Sequence, residues 1–389
     1  MANIYDYLAW RGDLGFSKDP LNEIDSLLFS TLAYGEFETI LAPSIGEPSH
    51  PLTEVDQAYA KVMQEKYKEF DPLGFFGEVP KLLHQAAATK RFANVHLSGF
   101  EKQIDFDKSK QFVAMVVTLR KNLHFLAFRG TDTNLAGWKE DLQMSFMDEV
   151  PAQQQAADFA NKAFESLEGE FYLGGHSKGG NLAVYAAVKA SKEQQDRIIA
   201  IYNNDGPGFQ SHIVESETYQ RILGKIKTFV PRSSPVGLLL EHGGDYTVVA
   251  SRQRSILQHD PFSWEVHGPR FVYEDGLSKG VLAINTAMRT WLTQVSMEER
   301  AEFVKGFCDL IEATGAKTLE DLTNEKLQSA QAILKAYTHM GKDARANLKK
   351  TLDLFFKESR KSIRETILGE IDHLLPKKRP PKSISSEQE

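Results

Sequence analysis

The sequence predicts an α/β protein: a mostly parallel central sheet flanked by helices, followed by a helical C-terminal extension. Three observations carry this. Apolar runs of strand length alternate with stretches of helical periodicity from about residue 111 to 250, the pattern that right-handed crossovers between parallel strands produce. QFVAMVVTL at 111–119 and LHFLAFRG at 123–130 are almost continuously apolar, as strands covered on both faces are. Beyond about residue 295 the β-like runs stop and charged helical periodicity takes over.

In chain order, Leu21, Ile24, Leu27, Leu28, Leu32 and Ala33 recur at helical spacing after Pro20, which predicts a helix with one buried face over 20–34. Residues 42–52, rich in Pro, Gly, Ser and His, read as a loop, and helical patterns resume over 53–70 and 78–90. The stretch 42–100 is the natural place for a lid or pocket wall, because long insertions beside a site are often functional. Its Phe70, Phe75, Phe76, Phe92 and Phe100 either line a lipid groove or pack in the core. The strands at 111–119 and 123–130 flank the short turn Arg120, Lys121, Asn122, and helices follow at 135–147 and 152–167. FYLGG is a short strand, 178–190 a helix, and RIIAIYNN, KIKTFV and DYTVVAS are further strands. The expected organisation is a core of residues 1–295, a helical extension over 296–375 and a disordered, proline-rich tail over 376–389. In the extension, Leu348, Leu352, Phe355, Phe356, Ile363, Ile367, Ile371 and Leu374 form an apolar stripe suited to packing on the core or on a partner.

Composition narrows the function classes. With 389 residues, 41% of them apolar and 25% charged, the chain can bury a sizeable core. A net charge of −7 argues against a nucleic-acid-binding surface, although the basic tail PKKRPPK offers a surface for weak contact with anionic lipid. Cys308 is the single cysteine, flanked by Phe307, and reads as a buried, inert thiol in a reducing compartment. Asp6, Arg11 and Asp13 interrupt the apolar stretch that a signal peptide needs, so a cytoplasmic location is expected. No Cys/His cluster, H-E-x-x-H pattern, EF-hand loop or P-loop occurs, so neither a metal nor another cofactor is implied.

The segment FYLGGHSKGGNLAVYAA at 171–187 carries the chemistry. Gly175-His176-Ser177-Lys178-Gly179 fits G-x-S-x-G, the turn that presents a nucleophilic serine between a strand and a helix. Side chains two positions either side of a serine in so sharp a turn would collide, and glycines remove the collision. By chance the pattern occurs in roughly one chain in ten of this length, so its position between an apolar strand and a small-residue helix decides the matter. The helix N-terminus aims the Lys178 amide at a bound carbonyl, where it would stabilise an oxyanion. Thr131, at the end of the strand in AFRGTDTNLAGWKEDL, supplies a candidate second donor.

FRGT, followed by Trp138 and Asp141, with GHSxGG downstream, resembles the class 3 (fungal-type) lipase family of α/β hydrolases. The N-terminal NIYDYLAWRGDLGF together with NNDGPGF and QHDPFSW is similar to a bacterial branch, the Mbeg-like α/β-hydrolase family. The resemblance implies an α/β-hydrolase fold, a nucleophile at Ser177 and an oxyanion hole at Thr131. Lys178 departs from it, since such lipases usually carry leucine or glutamine there. A cation at that place would stand at the pocket edge and alter substrate choice.

A serine nucleophile in this fold needs an acid and then a histidine later in the chain. Asp205, in NNDGPGF at the end of a strand, points toward the crevice where open α/β sheets place their sites. A turn-capping aspartate is the competing role. Class 3 lipases place the acid after the next strand, but PRSSPVG there holds no carboxylate. Asp205 is therefore the first candidate, and Asp245 of HGGDYTVV the alternative. For the base, His259 of SILQHDPFSW follows the last strand, with His267 of WEVHGPR as alternative, while His176 packs beneath the turn. The expected activity is hydrolysis of a small-molecule or lipid carboxylic ester. An acyltransferase, thioesterase or amidase would use the same residues, and a non-catalytic scaffold would use none of them.

Overall fold

The computed structural model describes residues 2–66, 75–132, 135–316, 326–354 and 357. Eight strands form one sheet in chain order: β1 (His50–Pro51), β2 (His96–Asp105), β3 (Lys110–Arg120), β4 (Leu123–Phe128), β5 (Glu170–His176), β6 (Ile198–Asn204), β7 (Ile226–Pro231) and β8 (Tyr246–Val249). β1 to β4 pair antiparallel, and β4 to β8 pair parallel. Two short strands, β9 (Val266–His267) and β10 (Arg270–Phe271), make a separate hairpin. This is the α/β-hydrolase architecture, with the helices placed as expected.

The sequential strand order dictates where the helices lie. Each right-handed crossover that steps to the next strand in one direction leaves its helix on the same face of the sheet. Accordingly α6 (Pro151–Ser166) and α7 (Lys178–Lys189) share a face, packed on Phe112, Ala114, Val116, Leu126, Phe128 and Leu173. The other face would be bare. It is covered from the N-terminus by α1 (Ile4–Arg11), α2 (Glu23–Leu32) and α4 (Phe75–Ala87), which bury Val113, Met115, Val117, Phe125 and Tyr202. β3 thus sends alternate residues into two cores, which explains why its sequence shows no polar alternation. Each fully buried Phe or Leu contributes about 1.5–3 kcal/mol.

A charged clamp closes the N-terminal layer. Arg91 donates to both carboxylate oxygens of Asp25 and to the carbonyls of Leu14, Asp19 and Pro20, with both side chains fully buried. Asp25 also closes the capping box of α2 with Asn22, so this helix starts later than Pro20 suggests.

The stretch 42–100 contributes β1, the first half of β2, α3 (Leu52–Lys66) and α4. The sequence pattern, a loop over 42–52 and helices over 53–70 and 78–90, assigns no element to the residues of β2. Phe92 and Phe100 are buried in the core, Phe92 edge-on to Phe16 and Phe29. Phe70 and the side chains of Phe75 and Phe76 lie outside the described residues.

The C-terminal helices begin before residue 295, with Lys279–Gln294, then Met297–Glu312 and Lys326–His339. Helix Met297–Glu312 lies against α5 (Leu135–Gln143), where Lys139 pairs with Glu312 at 2.8 Å. Burial pushes the Cys308 thiol in that helix up to about 11. Leu348 of the stripe is buried; the stripe beyond Leu354 and the basic tail lie outside the described residues. Among the described residues no helix is long and apolar enough to cross a membrane.

Candidate active site

The parallel register sets Phe128 beside Gly175 and His176 beside Asn204. Thr131, Ser177 and Asp205 therefore leave the sheet at one edge, the C-terminal ends of β4, β5 and β6. Asp245 instead precedes β8, exposed at the opposite edge in a groove with Glu23, Lys227 and Arg270. His267 is exposed in the β9–β10 hairpin.

Ser177 joins β5 to α7 with φ 59° and ψ −136°, a backbone state that costs a non-glycine residue of order 1–3 kcal/mol. Two contacts explain the flanking glycines. A Cβ on Gly175 would lie 2.1 Å from the backbone of Gly179, and one on Gly179 would lie 2.1 Å from the Phe128 carbonyl oxygen. A methyl on Gly175 would force the start of α7 away from β5, and one on Gly179 would push it off β4. Gly130 closes on the same turn, because a Cβ there would stand 2.8 Å from Ser177 Cβ and 2.5 Å from the His176 carbonyl. The ends of β4 and β5 are thereby in contact. The Ser177 amide donates to the Asn204 carbonyl at 3.0 Å. The amides of Lys178 and Thr131 have no protein acceptor among the described residues, as expected of a helix start for Lys178.

Asp205 is fully buried with φ 53°. Its Oδ1 accepts from the Gly237 amide at 3.0 Å, and its Oδ2 accepts from Ser234 Oγ at 2.5 Å and His259 Nδ1 at 2.6 Å. With Nδ1 donating, His259 Nε2 is left as an acceptor. His259 is fixed again from below: its carbonyl accepts from His176 Nε2 at 2.8 Å, and the two rings lie 4.5 Å apart. His176 Nδ1 faces the Tyr34 hydroxyl at 3.2 Å, so both ring nitrogens are engaged. Burial holds the His176 imidazole well below its usual range, with the nearby His259 acting the same way, so it stays neutral. Ser177 Oγ makes no hydrogen bond to His259 among the described residues, and such contacts commonly tighten only around substrate.

Lys178 corrects an expectation. Its side chain is 1% exposed and turns inward, Nζ 2.7 Å from Glu140 Oε2 and 3.8 Å from Asp141 Oδ1. Glu140, fully buried, also accepts from the Gln111 amide at 3.1 Å and from the Ala152 amide in the first turn of α6 at 2.7 Å. The cation is therefore neutralised in the interior, not presented to substrate. Glu140 was invisible in the sequence because its partners lie 12, 29 and 38 positions away. Next to it, Asp141 Oδ2 accepts from the Thr131 hydroxyl at 2.7 Å. Burial pushes the Asp141 carboxyl up to about 6, against the pull of Lys178.

An apolar chamber of about 150 Å³ opens beside Ser177, lined by Leu142, Leu240, Met288, Trp291 and Phe303 among others. Its far walls come from the C-terminal helices Lys279–Gln294 and Met297–Glu312. Among the described residues, none of those lining it falls within 42–100.

No curated protein matches the chain. Among solved structures, the M37 lipase aligns with 14% identity and a TM-score of 0.33, over 56% of this chain and 69% of the lipase. A family profile matches residues 86–309, a span that holds β2 to β8, the glycine-flanked Ser177, Asp205 and His259. More than half of the 389 residues are covered, and the chain belongs to the Mbeg1-like family, a lipase-like branch of the α/β hydrolases.

Proposed function

We propose that the protein is a serine hydrolase that cleaves carboxylic esters through an acyl-enzyme on Ser177. The observation that carries this reading is the 2.6 Å contact between His259 Nδ1 and the buried Asp205 carboxylate, next to a serine in a strained strand-to-helix turn. Asp205 fixes the tautomer and supports the imidazolium that forms during reaction.

Ser177 Oγ attacks the ester carbonyl carbon while its proton passes to His259 Nε2. A C–O bond forms, and the carbonyl π electrons move to oxygen. That oxyanion faces the amides of Lys178 and Thr131, and one such donor is worth about 3 kcal/mol of barrier. Collapse expels the alkoxide, which takes the proton from His259 and leaves as alcohol. Water then attacks the acyl-enzyme, gives its proton to His259, and releases the carboxylic acid with Ser177 restored. Asp141 keeps the Thr131 hydroxyl turned to one side, which orients the loop that carries the Thr131 amide.

The test is fluorophosphonate labelling together with turnover of p-nitrophenyl butanoate. Both are expected in the full-length chain and absent in Ser177→Ala. Turnover that survives this substitution would end the reading.

A further inference from the structure

Two apolar hollows meet at one side chain. The chamber beside Ser177, about 150 Å³, is bounded on the α5 side by Leu142 and roofed by Met288, Trp291 and Phe303. A second hollow of about 550 Å³ lies between Phe106, Trp138, Phe307 and Ile311. Leu142 lines both.

We propose that the inner chamber holds the acyl part of the ester and that Leu142, as the wall between the hollows, limits it to a short chain of about six carbons. The inference rests on the acyl-enzyme reading of Ser177. The acyl group stays bonded to Oγ through both half-reactions, whereas the alcohol must depart in the middle. The apolar chamber beside the serine therefore suits the acyl group, and the side away from it suits the leaving alcohol. The lining is apolar apart from Ser177, Ser145, Lys178 and Asp141: Lys178 pairs with Glu140, the Ser145 hydroxyl donates to the Leu142 carbonyl, and Asp141 Oδ2 accepts from Thr131, while its Oδ1 has no hydrogen-bond partner among the described residues. A dry apolar cavity of about 150 Å³ accepts a benzene-sized guest, about six carbon atoms. A butanoyl or hexanoyl group fits that volume. A decanoyl group does not, unless the Leu142 side chain yields and the outer hollow becomes continuous with the inner one.

The experiment compares kcat/KM for p-nitrophenyl acetate, butanoate, hexanoate, decanoate and dodecanoate in the full-length chain, Leu142→Ala and Trp291→Ala. In the unmodified chain, hexanoate should exceed decanoate by roughly tenfold or more, the scale at which an apolar pocket discriminates added methylenes. Leu142→Ala should raise the decanoate-to-hexanoate ratio by roughly tenfold. Trp291→Ala, which enlarges the chamber from the roof, should shift the ratio the same way and decides the matter if Leu142→Ala fails to fold. Equal turnover of hexanoate and dodecanoate by the unmodified chain, or an unshifted ratio in both folded variants, overturns the length limit and leaves the Ser177 reading standing. Absence of turnover on every ester overturns both.

Discussion

Replacing Lys178 by methionine removes one positive charge from the interior while keeping nearly the same length and apolar stem. Glu140 then remains fully buried, with only the Gln111 and Ala152 amides to offset its charge. Breaking a buried pair in this way costs about 3–5 kcal/mol, because the surviving ion has lost its counter-charge. With an unfolding entropy of about 2.1 cal/mol/K per residue, a chain of 389 residues loses about 1.2 °C of Tm per kcal/mol. Differential scanning calorimetry should therefore show Tm lowered by about 4–6 °C. The double variant Lys178→Met/Glu140→Gln removes both charges and keeps an oxygen for the Ala152 amide. It should melt above Lys178→Met alone, since the residual cost is one unpaired amide, about 1–3 kcal/mol. A functional readout accompanies the melt: Lys178 holds the Asp141 carboxyl down, so its loss raises that group further above about 6. A single variant that melts within about 1 °C of the unmodified chain, or a double variant less stable than the single, would refute the account of a strongly coupled pair.

Asp205→Asn should leave Tm almost unchanged relative to its effect on chemistry, and lower kcat roughly ten-thousandfold by fixing the wrong His259 tautomer; retention of more than a tenth of the activity excludes Asp205 as the orienting acid. Asp141 becomes anionic as pH rises through about 6. In Asp141→Asn this titration is absent, so the limb of kcat/KM that follows it near pH 6 should be lost. The plateau should fall roughly tenfold or more, as Thr131 loses a charged acceptor. A limb that persists in a full pH profile rules out the coupling. Arg91→Met leaves the buried Asp25 without its cation and should cost about 3–5 kcal/mol in urea unfolding, since both side chains are fully buried; a loss below about 1 kcal/mol contradicts that clamp.

Local chemistry made part of this molecule readable from its sequence. The glycine pattern about Ser177 is a steric requirement of neighbouring residues, the strands β3 and β4 announce themselves by almost continuous apolar runs, and β5 to β8 by short apolar segments between helical ones. β2 did not, because Gly99 at φ 60° and the register shift between Ser98 and Glu101 break its alternation. The roof of the Ser177 chamber was equally hidden. Met288, Trp291 and Phe303 occupy ordinary helical positions, and only the docking of helix Met297–Glu312 on α5 turns them toward the serine. Asp205 and His259 stand 54 positions apart, so their contact depends on where the chain after β8 runs.

The fate of Lys178 shows how the parts depend on each other. The residue after the serine starts α7, so its amide faces the site while its side chain turns back toward α5, which carries Glu140, Asp141 and Leu142. One helix therefore supplies the counter-ion of Lys178, the acceptor of the Thr131 hydroxyl, and the wall of the chamber. α5 is also the surface on which helix Met297–Glu312 rests, through Lys139 and Glu312. A shift of α5 would disturb the Lys178 and Thr131 amides and the chamber volume together. A substitution on its outer face, such as Lys139→Ala, acts only through an exposed ion pair worth up to about 1 kcal/mol. It should change chain-length preference only if it moves the helix.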